Sequence, residues 1–205
     1  MPLTEWFPIF TVCLLGAISP GPSLAVVLRN TMNGSRLHGV ATGVSHSMGI
    51  AFYALIVTTG ISVLITETPL AFRFITWGGA LYLAWLAINA FKASADITQG
   101  GEANKTAELT IAGAARQGFL ISFLNPKIAV FFLALFSQFV KPGAEWVQQE
   151  IIVLTATAVD GIWYSLVALA FSHPRLMPAI QKKAGFINKL TGTVLLLIAI
   201  RIVLS

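Results

Sequence analysis

Charge is scarce in this 205-residue chain: Lys and Arg total 13, Asp and Glu total 8, and charged residues make up 10%. Soluble proteins carry about 25%, so an ordinary soluble domain is excluded. Cysteine occurs once, at Cys13, so no intrachain disulfide can form. Inside an apolar run, Cys13 reads as a small packing residue. Histidine occurs three times. No second His, Cys or carboxylate stands at ligand spacing beside His46, which argues against a metal site. The first five residues hold no Lys or Arg, so no signal peptide is expected and the first helix directs insertion. The net charge of +5 is spread between apolar segments. No basic stripe interleaved with aromatics is present, so nucleic acid is not an expected partner.

What is present is apolar. Hydrophobic residues make up 56% of the chain, and the mean hydropathy is +0.81. This describes one integral membrane domain in a lipid bilayer, too short for a second folded unit. Hydropathy predicts an all-α protein with six transmembrane helices, over residues 6–28, 39–65, 72–91, 112–140, 148–171 and 186–204. The polar stretch 92–110, with Gly100-Gly101 and charges of both signs, reads as a surface loop.

The first segment contains Ser19-Pro20-Gly21-Pro22-Ser23. Pro20 and Pro22 have no N–H to give to the carbonyls of Gly16 and Ile18, and Gly21 lets the joint bend. Pro22 suits the start of a new helix. The expected result is a helix broken near the membrane midplane, where free backbone is tolerated only beside protein or a wet cavity. Such breaks build substrate sites in many transporters; the other reading is a kink that only shapes packing. The fourth segment carries a second interruption, Asn125-Pro126-Lys127.

Placing Pro20 over Pro126 aligns residues 14–20 with 120–126 and overlays helices two and five at the same offset. Each half, 6–91 and 112–204, has three helices, so the second enters the membrane in the opposite sense. The expectation is two inverted repeats with broken helices one and four meeting near the midplane. Nine Lys and Arg fall on the side of loops one, three and five, three on the other, and Lys127 lies between. The positive-inside rule then puts those three loops in the cytoplasm and both termini outside.

Lys127 and Asp160 are the only base and acid placed deep within spans. Charge there costs roughly 2.5–3.5 kcal/mol even on the lenient insertion scale, so such residues face the interior and pair. They read either as a structural ion pair between helices four and five or as a proton- or substrate-linked site. Helical spacing puts Thr157, Asp160 and Tyr164 on one face, and Thr42, His46, Gly49 and Tyr53 on another. Gly39, Gly43, Ser47 and Ala51 form a small-residue stripe suited to close helix packing. Arg29, ending helix one, reads as an interfacial anchor. A zwitterion fits the set. The half-helix starting at Pro22 offers N–H groups to a carboxylate near Gly21–Ser23, and open carbonyls of Gly16, Ile18 and Ser122, with Asp160, receive an ammonium.

Several stretches carry a family likeness: Ser19-Pro20-Gly21-Pro22, Gly39-Val40-Ala41-Thr42-Gly43 and Gly79-Ala80-Leu81-Tyr82-Leu83. So do Arg116-Gln117-Gly118-Phe119, Asn125-Pro126-Lys127, Phe136-Ser137-Gln138-Phe139-Val140 and Asp160-Gly161-Ile162-Trp163-Tyr164. Over nearly its whole length the chain resembles the lysine-exporter (LysE/RhtB) family of bacterial amino-acid exporters, in its homoserine/threonine-resistance branch. The resemblance implies a six-helix inner-membrane exporter of amino acids or their derivatives, driven by the proton gradient, with no cofactor. It also implies that Pro20, Gly21, Pro22, Asn125, Pro126, Lys127 and Asp160 are functional positions; a homodimer is compatible with so small a carrier. Two rivals remain. A metal or inorganic-ion exporter would want more intramembrane carboxylates than Asp160 alone. A membrane enzyme would want a spaced nucleophile and base, whereas Ser45-His46-Ser47 are adjacent and point apart on a helix.

Overall fold

The computed structural model describes residues 1–19, 21–92, 109–137, 139, 146–171 and 177–204. Every regular element among them is helical: α1 (Leu3–Ile18), α2 (Pro22–Asn33), α3 (Arg36–Glu67), α4 (Pro69–Lys92), α5 (Ile111–Phe123), α6 (Pro126–Phe136), α7 (Trp146–Phe171) and α8 (Met177–Leu204). The first predicted span is α1 and α2, bent by 57°, and the fourth is α5 and α6, bent by 53°. Among the described residues three helices are long and apolar enough to cross a bilayer, or up to five when each bent pair counts as one span. The sixth predicted segment lies within α8, which begins well before residue 186. Pro20, Lys141-Pro142-Gly143, His173-Pro174 and most of the polar loop 92–110 lie outside the described residues.

Local chemistry sets the helix ends. Pro22 occupies the first turn of α2, where its missing N–H leaves no bond unmade. Thr110 caps α5 by accepting from the Gly113 N–H at 3.0 Å. Asn125 does the same for α6, its Oδ1 accepting from the Lys127 N–H at 3.0 Å. Hydropathy also ended the first span too early. Arg29 does not end its helix: α2 continues to Asn33, and Arg29 Nη2 donates to Gln117 Oε1 of α5 at 2.8 Å. A charged residue ends an apolar run without ending a helix, because arginine is a good helix former.

α3 and α7 cross at the centre, and α4 packs on α8. α1 and α2 both lie against α7, and α5 and α6 both lie against α3. The small residues make the central crossing close. A β-carbon at Gly43 would stand 2.9 Å from Cβ of Tyr164 and 3.1 Å from its carbonyl carbon. Gly43→Val should therefore force the two helices apart and destabilise the fold by about 1–3 kcal/mol or more. Gly60, with open space around it, is the control; Gly60→Ala should be neutral or stabilising by about 0.5–1 kcal/mol. Thermal unfolding of the purified protein measures both.

The main apolar core draws on α1, α3, α4, α6, α7 and α8, and a smaller cluster joins α2 to α7. α4 shows the sidedness: Ala80, Leu83, Leu86 and Ala87 are buried while Phe74, Trp77, Leu81, Trp85 and Ile88 are exposed. An apolar stripe that long on an outer face belongs against lipid.

Candidate functional site

Both helix breaks open on one cavity of about 240 Å³. Ser19, Gly21, Pro22 and Ser23 reach it from the first break, and Asn125 and Lys127 from the second. α3 adds His46, and α7 adds Asp160 and Tyr164. α4 and α8 close it with Leu86, Asn89, Ala90, Asn188, Thr191 and Leu195.

The two breaks are not alike electrostatically. At α6 the Asn125 side chain caps the helix. At α2 the N-cap is Gly21, and among the described residues no side chain caps the first turn. Ser23 and Leu24 carry first-turn N–H groups that no intrahelical carbonyl reaches, so partial positive charge collects there. Lys127 Nζ also stands there, 3.7 Å from the position a β-carbon would take at Gly21. The break in one bent pair thus meets the ammonium from the other.

Asp160 does not pair with Lys127; among the described residues no Lys or Arg nitrogen lies within 4.0 Å of a carboxylate oxygen. Its Oδ2 lies 2.7 Å from His46 Nδ1, with the two residues 6% and 1% exposed. The reason is the close α3–α7 crossing, which brings two short side chains together, while Lys127 at the start of α6 is directed to the α1–α2 break. The His46 ring meets Tyr164 edge-on, with centroids 4.8 Å apart, and Ser23 lies beside the Tyr164 phenol. His46 Nε2 is buried with no hydrogen-bond partner among the described residues. With a neutral imidazole donating from Nδ1, Nε2 is a bare acceptor; with imidazolium it becomes a donor.

Several expected residues lie elsewhere. Thr42 is buried between helices, accepting from Asn30 Nδ2 at 3.0 Å and donating to the His38 carbonyl at 2.7 Å. Tyr53 is half-buried against Phe123, with ring centroids 5.5 Å apart. Gly49 packs on Ser122. That α3 face meets α5 instead of the cavity; His46 sits at its border with the stripe facing α7. Thr157 bonds the Val153 carbonyl on its own helix. The Ser122 carbonyl is not open, since it accepts from the Asn125 N–H at 3.4 Å. Pro126 starts α6, and Pro20 lies outside the described residues. Sequence reasoning missed Asn89, Asn188 and Thr191. Their signal was available, as uncharged polar residues at helical spacing inside apolar segments. Among the described residues no three of His, Cys, Asp and Glu come together as a metal site.

Asn125→Ala removes the α6 cap and should cost about 0.5–2 kcal/mol of stability. Asn125→Asp, which can still accept from the Lys127 N–H, should recover most of it. Thermal unfolding of the two variants side by side checks this.

Residues 14–205 match the family model described as LysE type translocator. The chain is 29% identical over 193 residues to a protein of Vibrio cholerae described as an uncharacterized membrane protein, covering 90% of this chain and 93% of that one. It is 27% identical to the homoserine/homoserine lactone efflux protein of Salmonella typhimurium, over 93% of this chain and 95% of the relative. It is 24% identical to the threonine efflux protein of Escherichia coli, over 95% of each. No solved structure matches the chain.

Proposed function

The chain belongs to the LysE type translocator family, and from that premise we propose that it exports small neutral amino acids or their derivatives across the bacterial inner membrane in exchange for protons. The relatives named for homoserine and threonine efflux support that substrate class. The observation that carries the reading is the meeting of both helix breaks at one cavity that also holds Lys127, Asp160 and His46.

The substrate carboxylate binds the free first-turn N–H groups of Ser23 and Leu24 and the Lys127 ammonium. The substrate ammonium binds the Asp160 carboxylate, whose Oδ1 is left for it while Oδ2 is held by His46. The Gly16 carbonyl, whose usual helical donor would be the missing N–H of Pro20, adds an acceptor. Competition then couples the two flows. The His46–Asp160 pair takes up either the substrate ammonium or a proton, and low dielectric makes holding both unfavourable. On the cytoplasmic side substrate displaces the proton; outside, a proton displaces substrate.

The architecture proposed is six spans in two inverted repeats, with each bent pair as one span and α8 as the sixth. The packing supports it: α3 meets its counterpart α7, α4 meets α8, and the α1–α7 and α2–α7 contacts are mirrored by α5–α3 and α6–α3. Under the positive-inside orientation both termini lie outside, and the end of α4, with the exposed lining residue Asn89, lies toward the cytoplasm. The breaks at Ser19–Gly21 and Leu124–Asn125 are the hinges for alternating access.

The test is efflux from preloaded proteoliposomes over a panel of amino acids, with and without an imposed pH gradient. Efflux of a few small neutral amino acids, faster with the gradient, is expected. No efflux of any amino acid from vesicles holding folded protein overturns the proposal.

A further inference from the structure

One wall of the cavity carries polar groups that the export scheme leaves unused. Asn188 and Thr191 of α8 line it, at 3% and 1% exposure. Three residues apart, they share a helix face, which Leu195 continues one turn on. α4 lies close against them, since a β-carbon at Gly192 would stand 3.0 Å from the Ala87 carbonyl oxygen. Thr31, Thr58 and Thr155 return their hydroxyls to a carbonyl one turn back. Thr191 does not: its Oγ1 is buried with no hydrogen-bond partner among the described residues. A buried hydroxyl left unmade costs free energy, so a ligand group that satisfies it gains by that amount.

Resting on the amino-acid export reading, we infer that Asn188 and Thr191 form the subsite for the substrate's side chain, and that it selects a short, uncharged side chain bearing a hydroxyl. The chemistry is complementary. A ligand hydroxyl has one donor and two acceptor sites; the asparagine amide offers both kinds, and Thr191 takes up the remainder. Among the described residues the α4–α8 wall contributes no ionisable side chain to the cavity lining, so a charged side chain finds no counter-charge there. The volume of about 240 Å³ lies below the roughly 300–1,000 Å³ of pockets for drug-sized molecules, which keeps the side chain short.

The experiment compares initial efflux rates from proteoliposomes for two isosteric pairs, threonine against valine and homoserine against norvaline. Each pair differs by a hydroxyl in place of a methyl. The unmodified protein should favour the hydroxyl member by at least ~10-fold, because a site built to hydrogen-bond a hydroxyl leaves its polar groups unpaired with the analogue. Thr191→Val and Asn188→Leu should each lower that preference several-fold, and the double variant should bring it within about threefold. Thr191→Ser should keep it. Valine efflux through Thr191→Val at least as fast as through the unmodified protein shows that the variant is folded. Where Asn188→Leu does not assemble, Thr191→Val alone decides. An unmodified protein that moves none of the four amino acids overturns the export reading, and the subsite with it. One that exports but ignores the hydroxyl, or variants that retain the full preference, overturn the subsite alone.

Discussion

Asp160→Asn is expected to abolish stimulation of export by a pH gradient and to lower export itself by about 100-fold, while the protein stays folded. The carboxylate has two tasks in the proposed cycle, attracting the substrate ammonium and accepting the competing proton. Asparagine can do neither. Truncating one partner of a buried, hydrogen-bonded charge pair between binding partners costs roughly 2–5 kcal/mol of affinity, and each 1.4 kcal/mol is about a factor of ten, so about two decades is expected. The fold should survive because an asparagine oxygen can still accept from His46 Nδ1, which now stands 2.7 Å from the carboxylate. His46→Gln separates the roles: it keeps a donor for Asp160 but removes the imidazole. It should retain substrate binding and lose most of the gradient effect. Gradient-stimulated efflux at the unmodified rate in Asp160→Asn would falsify the coupling scheme.

The two breaks were legible because proline chemistry is local. A missing N–H at Pro20, Pro22 or Pro126 interrupts a helix wherever the helix lies. That α3 packs closely on a neighbour was also legible, from glycine and serine recurring every four residues; that the neighbour is α7 was not. The His46–Asp160 pair was not. Its members are separated by 114 positions, and which of two adjacent α3 faces His46 serves depends on a few tens of degrees of helix rotation. Periodicity grouped His46 with Thr42 and Tyr53, whose face meets α5; the imidazole instead reaches across to α7. Lys127 and Asp160 were matched because they were the only deep opposite charges. Proximity of charge in depth does not fix direction, however, and the start of α6 directs Lys127 to the first break. Asn188 and Thr191 were passed over, though their polarity was legible, for another reason. They are uncharged, and they lie in the segment whose apolar run is weakened by Lys189 and Arg201.

Lys127→Met should move affinity and stability in opposite directions. Methionine keeps the length and the apolar stem and removes the ammonium. In the proposed site that ammonium is half of the carboxylate clamp, with the first-turn N–H groups of α2 as the other half. A hydrogen bond to a charged group contributes about 1.5–3 kcal/mol, so the apparent affinity for a zwitterionic substrate should fall by roughly 10- to 150-fold. The methyl ester of the same amino acid, which has no carboxylate charge, should lose little. Concentration dependence of counterflow in proteoliposomes gives both values. Stability should not fall, because among the described residues Lys127 has no carboxylate within 4.0 Å. Removing a half-buried charge that lacks a counter-ion relieves desolvation and breaks no pair, so the unfolding temperature should hold or rise. Lys127→Arg keeps the charge on a bulkier planar head and should fall between the two in affinity. A misfolded variant cannot give this pattern, since weakened zwitterion binding would come with preserved ester transport and undiminished stability. Unchanged affinity in Lys127→Met would remove the ammonium from the carboxylate site and leave the first turn of α2 to bind it alone.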